Sequence, residues 1–77
     1  LQEIILPELL PEASVKLTSR ELEILRWTAD GKTSSEVSMI LGIAERTVNF
    51  HLNNVMAKLN VINKTAAVVK AIQLGFI

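Results

Sequence analysis

The 77-residue chain has no cysteine and no tyrosine. It holds one tryptophan, one histidine, two phenylalanines, two prolines and three glycines. Without cysteine, neither a disulfide nor a thiolate zinc site is available to staple a small fold. A single histidine with no thiolate beside it argues against a metal centre and against histidine-based catalysis. No apolar run approaches the roughly 18 residues of a membrane span. Both prolines, Pro7 and Pro11, lie near the N-terminus, so nothing after them carries that helix-breaking ring. Net charge is zero, but its distribution is uneven. Residues 1–45 hold four cations against eight acids, and residues 46–77 hold four cations and no acid at all.

What is present suits one small helical domain. Apolar residues make up 49% of the chain and aromatics only 4%, so Leu, Ile, Val and Ala must build the core. The length exceeds the roughly 40 residues below which a domain needs staples. No signal peptide is visible, and the chain, which does not begin with Met, is expected to be a piece of a larger intracellular protein; the absence of cysteine fits a reducing compartment.

Residues 1–16 read as a linker or arm. Pro7 and Pro11 interrupt any long helix, while Ile4, Ile5, Leu6, Leu9 and Leu10 suit packing on the domain, on a second copy or on a neighbouring domain. Four helices are expected in residues 17–77. Thr18 with Glu21 makes a capping box, and Asp30-Gly31 a stop. Leu22, Leu25 and Trp27 or Ala29 would form the inner stripe of the first helix, with Ile24 beside it and Arg20, Glu23 and Arg26 in water. Thr33 with Glu36 opens a second helix, ending near Leu41. A third runs from about Glu45 to Leu59, with Val48, Leu52, Val55 and Leu59 inward and Met56 on the flank. Asn60 breaks it. Asn63 caps a fourth that runs to about Leu74 and ends at Gly75.

The short connection between the second and third helices is the pattern of a helix-turn-helix, with Gly42 free to adopt positive φ and Ile43 and Val48 plugging the gap. The second helix of such a unit can enter the major groove of DNA. Its outer side carries Arg46, Asn49, Phe50, Asn53 and Asn54. Asn49 and Asn53 are four residues apart and share a face. Asparagine is a poor helix former, so its repeated use here points to base contact, where its amide suits adenine through N6 and N7. Phe50 either touches a thymine methyl or lies against the first helix. His51 either wedges between helices or reaches a phosphate.

Several separate motifs now stand in order: Leu17-Thr18-Ser19-Arg20-Glu21, Gly31-Lys32-Thr33-Ser34-Ser35-Glu36-Val37, Thr47-Val48-Asn49-Phe50-His51, Lys58-Leu59-Asn60-Val61 and Asn63-Lys64-Thr65-Ala66-Ala67. Together they resemble the DNA-binding domain of the LuxR family of bacterial transcription regulators. The wording around Trp27 and Thr47 is most similar to the quorum-sensing members, which pair it with an N-terminal domain for an acyl-homoserine lactone. The resemblance implies an all-α, four-helix domain that binds double-stranded DNA as a homodimer in the bacterial cytoplasm, without a cofactor or a catalytic residue. It assigns base contacts to Asn49, Phe50 and Asn53, and phosphate contacts to Lys32, Thr33, Ser34, Arg46, Thr47 and Lys58. The fourth helix would carry the dimer contact, for which its surplus apolar residues Val69 and Ile72 are chosen. Any signal ligand would bind a separate domain absent from this chain.

Three departures from the family's habit involve four positions. Lys or Arg often stands where this chain has Asn49 and Asn53. Ala44 replaces the serine that often caps the third helix. Ser38 replaces a usual alanine at the crowded inner position, where it fits if its hydroxyl bonds a carbonyl one turn back. The rival reading is a helical docking module without DNA affinity, contacted through its fourth helix and arm. No paired carboxylates, nucleophile–base set or phosphate-cradling loop suggests an enzyme.

Overall fold

The computed structural model describes residues 15–77, so the expected arm lies outside the described residues except for Val15 and Lys16. The described residues form four helices and no strand: α1 (Ser19–Ala29), α2 (Ser34–Leu41), α3 (Glu45–Leu59) and α4 (Lys64–Gln73).

Local chemistry sets the helix starts. Thr18 and Thr33 each accept a hydrogen bond from the backbone N–H of the glutamate three residues on, and each of those glutamates accepts one back from the threonine N–H. Both expected capping boxes are therefore complete. Asn63 Oδ1 accepts from Ala66 N–H at 2.8 Å and caps α4. Only α3 starts without a side-chain cap, at Ala44.

All four helices stop in one way. The residues after them that take positive φ are Gly31, Gly42, Asn60 and Gly75. In each case the next N–H reaches back five residues to a carbonyl: Lys32 to Trp27, Ile43 to Ser38, Val61 to Met56 and Phe76 to Ala71. This 6→1 bond satisfies a carbonyl that the helix leaves without a partner.

Two apolar clusters hold the helices together, and α1 and α3 contribute to both. Leu25, Val55, Leu59, Ala67 and Ala71 join α1, α3 and α4. Ile24, Val37, Val48 and Leu52 join α1, α2 and α3. Trp27, Leu41 and Ile43 close the edge of the second cluster, while Val15, Leu17, Met56 and Phe76 are among those around the first. The expected inner stripe of α3 is buried in full.

The inner face of α1 differs from expectation. Ile24 and Leu25 are fully buried, Leu22 and Trp27 only half-buried, and Ala29 is exposed. The third buried position is Glu21, at 3% exposure. A helix wedged against both clusters presents residues 21, 24, 25 and 28 inward, the i, i+3, i+4, i+7 pattern, and 22, 27 and 29 fall to its flanks. Thr28, the last of these, is half-buried and turns its hydroxyl to the Ile24 carbonyl at 2.9 Å. Ser38 keeps its hydroxyl satisfied as expected, donating to the Ser35 carbonyl at 2.7 Å.

Candidate nucleic-acid interface

Because Val48, Leu52, Val55 and Leu59 face the core, the opposite side of α3 must face away from it. Arg46, Asn49, Phe50 and Asn53 are exposed there, while Thr47, His51 and Asn54 are half-buried. Phe50 is 61% exposed, so it does not lie buried against α1. Its ring meets His51 edge-on, with centroids 5.6 Å apart. The outer face thus offers two amides and an aromatic ring, with Arg46 near the N-terminal end and Lys58 near the C-terminal end.

The start of α2 adds one cation and hydroxyl and amide donors beside this ridge. Lys32 is half-buried and Thr33 exposed. The Thr33 hydroxyl oxygen accepts from Glu36 N–H at 3.1 Å, which leaves its own O–H to donate. The Thr33 backbone N–H donates in turn to Glu36 Oε1 at 2.8 Å, and this bond, against the opposing effect of burial and with help from the Thr33 side chain and the Lys32 charge, holds the Glu36 carboxyl below its ordinary value.

Two expected phosphate contacts have other work in the folded chain. Ser34 is buried, and its hydroxyl donates to Asn49 Oδ1 at 2.7 Å. Its side chain is therefore turned to α3. Lys58 Nζ donates to Glu21 Oε1 at 2.8 Å, although its side chain stays 36% exposed. An ammonium has three donors, so Lys58 keeps others for solvent or a ligand. Burial pushes the Glu21 carboxyl up, but the Lys58 hydrogen bond and charge, with the N–H and side chain of Thr18, outweigh it and the net direction is down.

These two pairings were not anticipated from the sequence. In the sequence Glu21 is legible as a capping residue alone. A signal was available, since 21 stands three and four residues before the buried pair 24 and 25 and so shares their face. The bond from Ser34 to Asn49 spans 15 residues, and no local pattern announces it. On α4, Ala67 and Ala71 face the core, while Val69 and Ile72 are 48% and 56% exposed. Among the described residues, no group of three or more His, Asp or Glu stands where it could hold a metal ion.

Known proteins with this arrangement are numerous. The family model described as bacterial regulatory proteins, luxR family, matches residues 15–71. Transcriptional activator protein SolR of Ralstonia nicotianae is 58% identical over 73 residues, covering 95% of this chain and 31% of SolR. The quorum-sensing regulator RhlR of Pseudomonas aeruginosa is 54% identical over 63 residues, 82% of this chain and 26% of RhlR. The chain thus spans under a third of the length of either relative. The solved structure of the transcription factor GerE superposes with a TM-score of 0.75 at 33% identity, over 78% of this chain and 90% of GerE. On the matched model, the identities and the shared four-helix geometry, the chain belongs to the luxR family of bacterial regulatory proteins.

Proposed function

We propose that residues 17–77 are the DNA-binding output domain of a bacterial transcription regulator of the quorum-sensing type. The helix α3 lies in the major groove, and two copies of the domain read a two-fold symmetric site. The carrying observation is the division of α3 between a fully buried apolar face and an outer face with exposed Asn49 and Asn53. Relatives named as a transcriptional activator and a quorum-sensing regulator support the same reading.

The mechanism is binding without chemistry. Lys32, Thr33, the first backbone amides of α2, Arg46, Thr47 and the donors of Lys58 not taken by Glu21 hold phosphates, which fixes the height and angle of α3. Asn49, Phe50 and Asn53 then meet base edges. The acid-free residues 46–77 supply α4 and all of α3 after Glu45, and offer the polyanion a favourable local field despite a net charge of zero. Such a domain works in the cytoplasm, and a signal ligand acts through a further domain of the full regulator.

The test is a salt titration of binding to a random duplex. Affinity should fall steeply and log-linearly with salt, with a slope set by the number of phosphates engaged. A docking module would show no salt-dependent affinity for duplex DNA, and that result would end this reading.

A further inference from the structure

The two outward asparagines of α3 are held differently. Asn49 Oδ1 accepts the Ser34 hydroxyl at 2.7 Å. Ser34 is the first residue of α2 and only 9% exposed, so this short bond ties the outer amide to the helix behind it. Asn53, one turn further on, is exposed, and no hydrogen bond to a described residue fixes its amide.

A primary amide is planar, with its oxygen and nitrogen pointing apart. Once the Asn49 oxygen is turned back to α2, its NH₂ points away from that contact. Asparagine recognises adenine through both ends of the amide, donating to N7 and accepting from N6. The Asn49 oxygen has a second lone pair, but the bond to Ser34 turns that oxygen toward α2, so the two N–H donors are what the amide presents away from it. The purine edge that presents acceptors alone in the major groove is guanine, through N7 and O6.

We propose that Ser34 is a positioning residue for base specificity: its hydroxyl holds the Asn49 amide as a donor-only reader, so that Asn49 selects guanine while the unrestrained Asn53 keeps the two-ended pairing to adenine. This deepens the DNA-binding reading above and rests on it. It also separates two residues whose identical chemistry suggests one shared preference.

The experiment selects bound duplexes from a random pool with the 77-residue chain and with Ser34→Ala, Ser34→Thr, Asn49→Ala and Asn49→Asp. The unaltered chain should enrich guanine at one position per half-site, and Asn49→Ala should lose it. Ser34→Ala should lower the guanine-over-adenine preference there roughly tenfold and leave affinity for random duplex within about twofold, since that affinity comes from phosphates. Ser34→Thr retains a hydroxyl and should restore guanine. Asn49→Asp keeps the acceptor for Ser34 but turns an acceptor outward, and should move the preference to cytosine, whose N4 amino group donates.

A merely structural Ser34 would weaken all duplexes alike and leave the selected base unchanged. Adenine at the position controlled by Asn49, or a selected base that neither Ser34→Ala nor Asn49→Asp moves, overturns the proposal. Those results leave salt-dependent binding to random duplex intact, whereas its absence in the unaltered chain would remove the DNA-binding reading itself.

Discussion

Glu21 serves two neighbours with one carboxylate, accepting from Thr18 N–H at 2.9 Å and from Lys58 Nζ at 2.8 Å. Burial raises its pKa, and these partners lower it further, to below the ordinary 4.5. A carboxyl with a depressed folded-state pKa stabilises the fold above its unfolded value and loses that contribution as pH falls through the folded one. Urea melts between neutral pH and pH 3 should therefore show stability declining below about pH 4.5, and Glu21→Gln should flatten part of that decline from a lower starting point. Lys58→Ala leaves a buried carboxylate without its cation. The expected loss is about 1–3 kcal/mol in chemical denaturation, less than for a fully buried pair because Lys58 keeps contact with water. In the folded variant the salt slope of DNA binding should also drop by about one unit. Asn53→Ala should cost about 1–3 kcal/mol on a selected duplex and little on random DNA, a difference that competition binding measures directly.

The helices carry their own punctuation. Each start and stop follows from a few consecutive residues, which is why the capping boxes at Thr18 and Thr33 and the breaks at Gly31, Gly42, Asn60 and Gly75 are legible in the sequence. The exception is the start of α3, where Ala44 has cap geometry, φ −67° and ψ 147°, but no side chain able to accept. Ala44→Ser should thus raise stability by about 1 kcal/mol, visible as a higher thermal midpoint. Gly42, between the two helices of the helix-turn-helix, sits at φ +69° with nothing within 4 Å of the Cβ it lacks. Gly42→Ala should cost about 1 kcal/mol through backbone strain alone. A much larger loss would mean that the turn cannot hold α2 and α3 at their crossing.

Across the molecule, α3 is packed by α1 on both clusters, by α2 on one and by α4 on the other. A recognition element braced from three sides presents its outer face with little freedom, which precise base contact requires. α4 has more apolar surface than one buried face needs, and we propose Val69 with Ile72 as the seam between two copies. Ile72→Glu should change the unfolding free energy by no more than about 0.5 kcal/mol, as for other exposed positions. In sedimentation equilibrium it should shift dimers to monomers. It should weaken binding to a duplex with two half-sites and leave a single half-site nearly unaffected.

Residue order alone was enough for the four helices, their boundaries, the buried stripe of α3 and the outward place of Asn49 and Asn53, because caps, stops and the 3.6-residue repeat depend on neighbours along the chain. Packing decided the rest. It turned Glu21 inward to meet Lys58, 37 residues away, and brought Ser34 against Asn49. Both contacts join side chains from different helices, so they exist only once the helices have crossed at their particular angles and depths, and no periodicity along one helix encodes the partner on another.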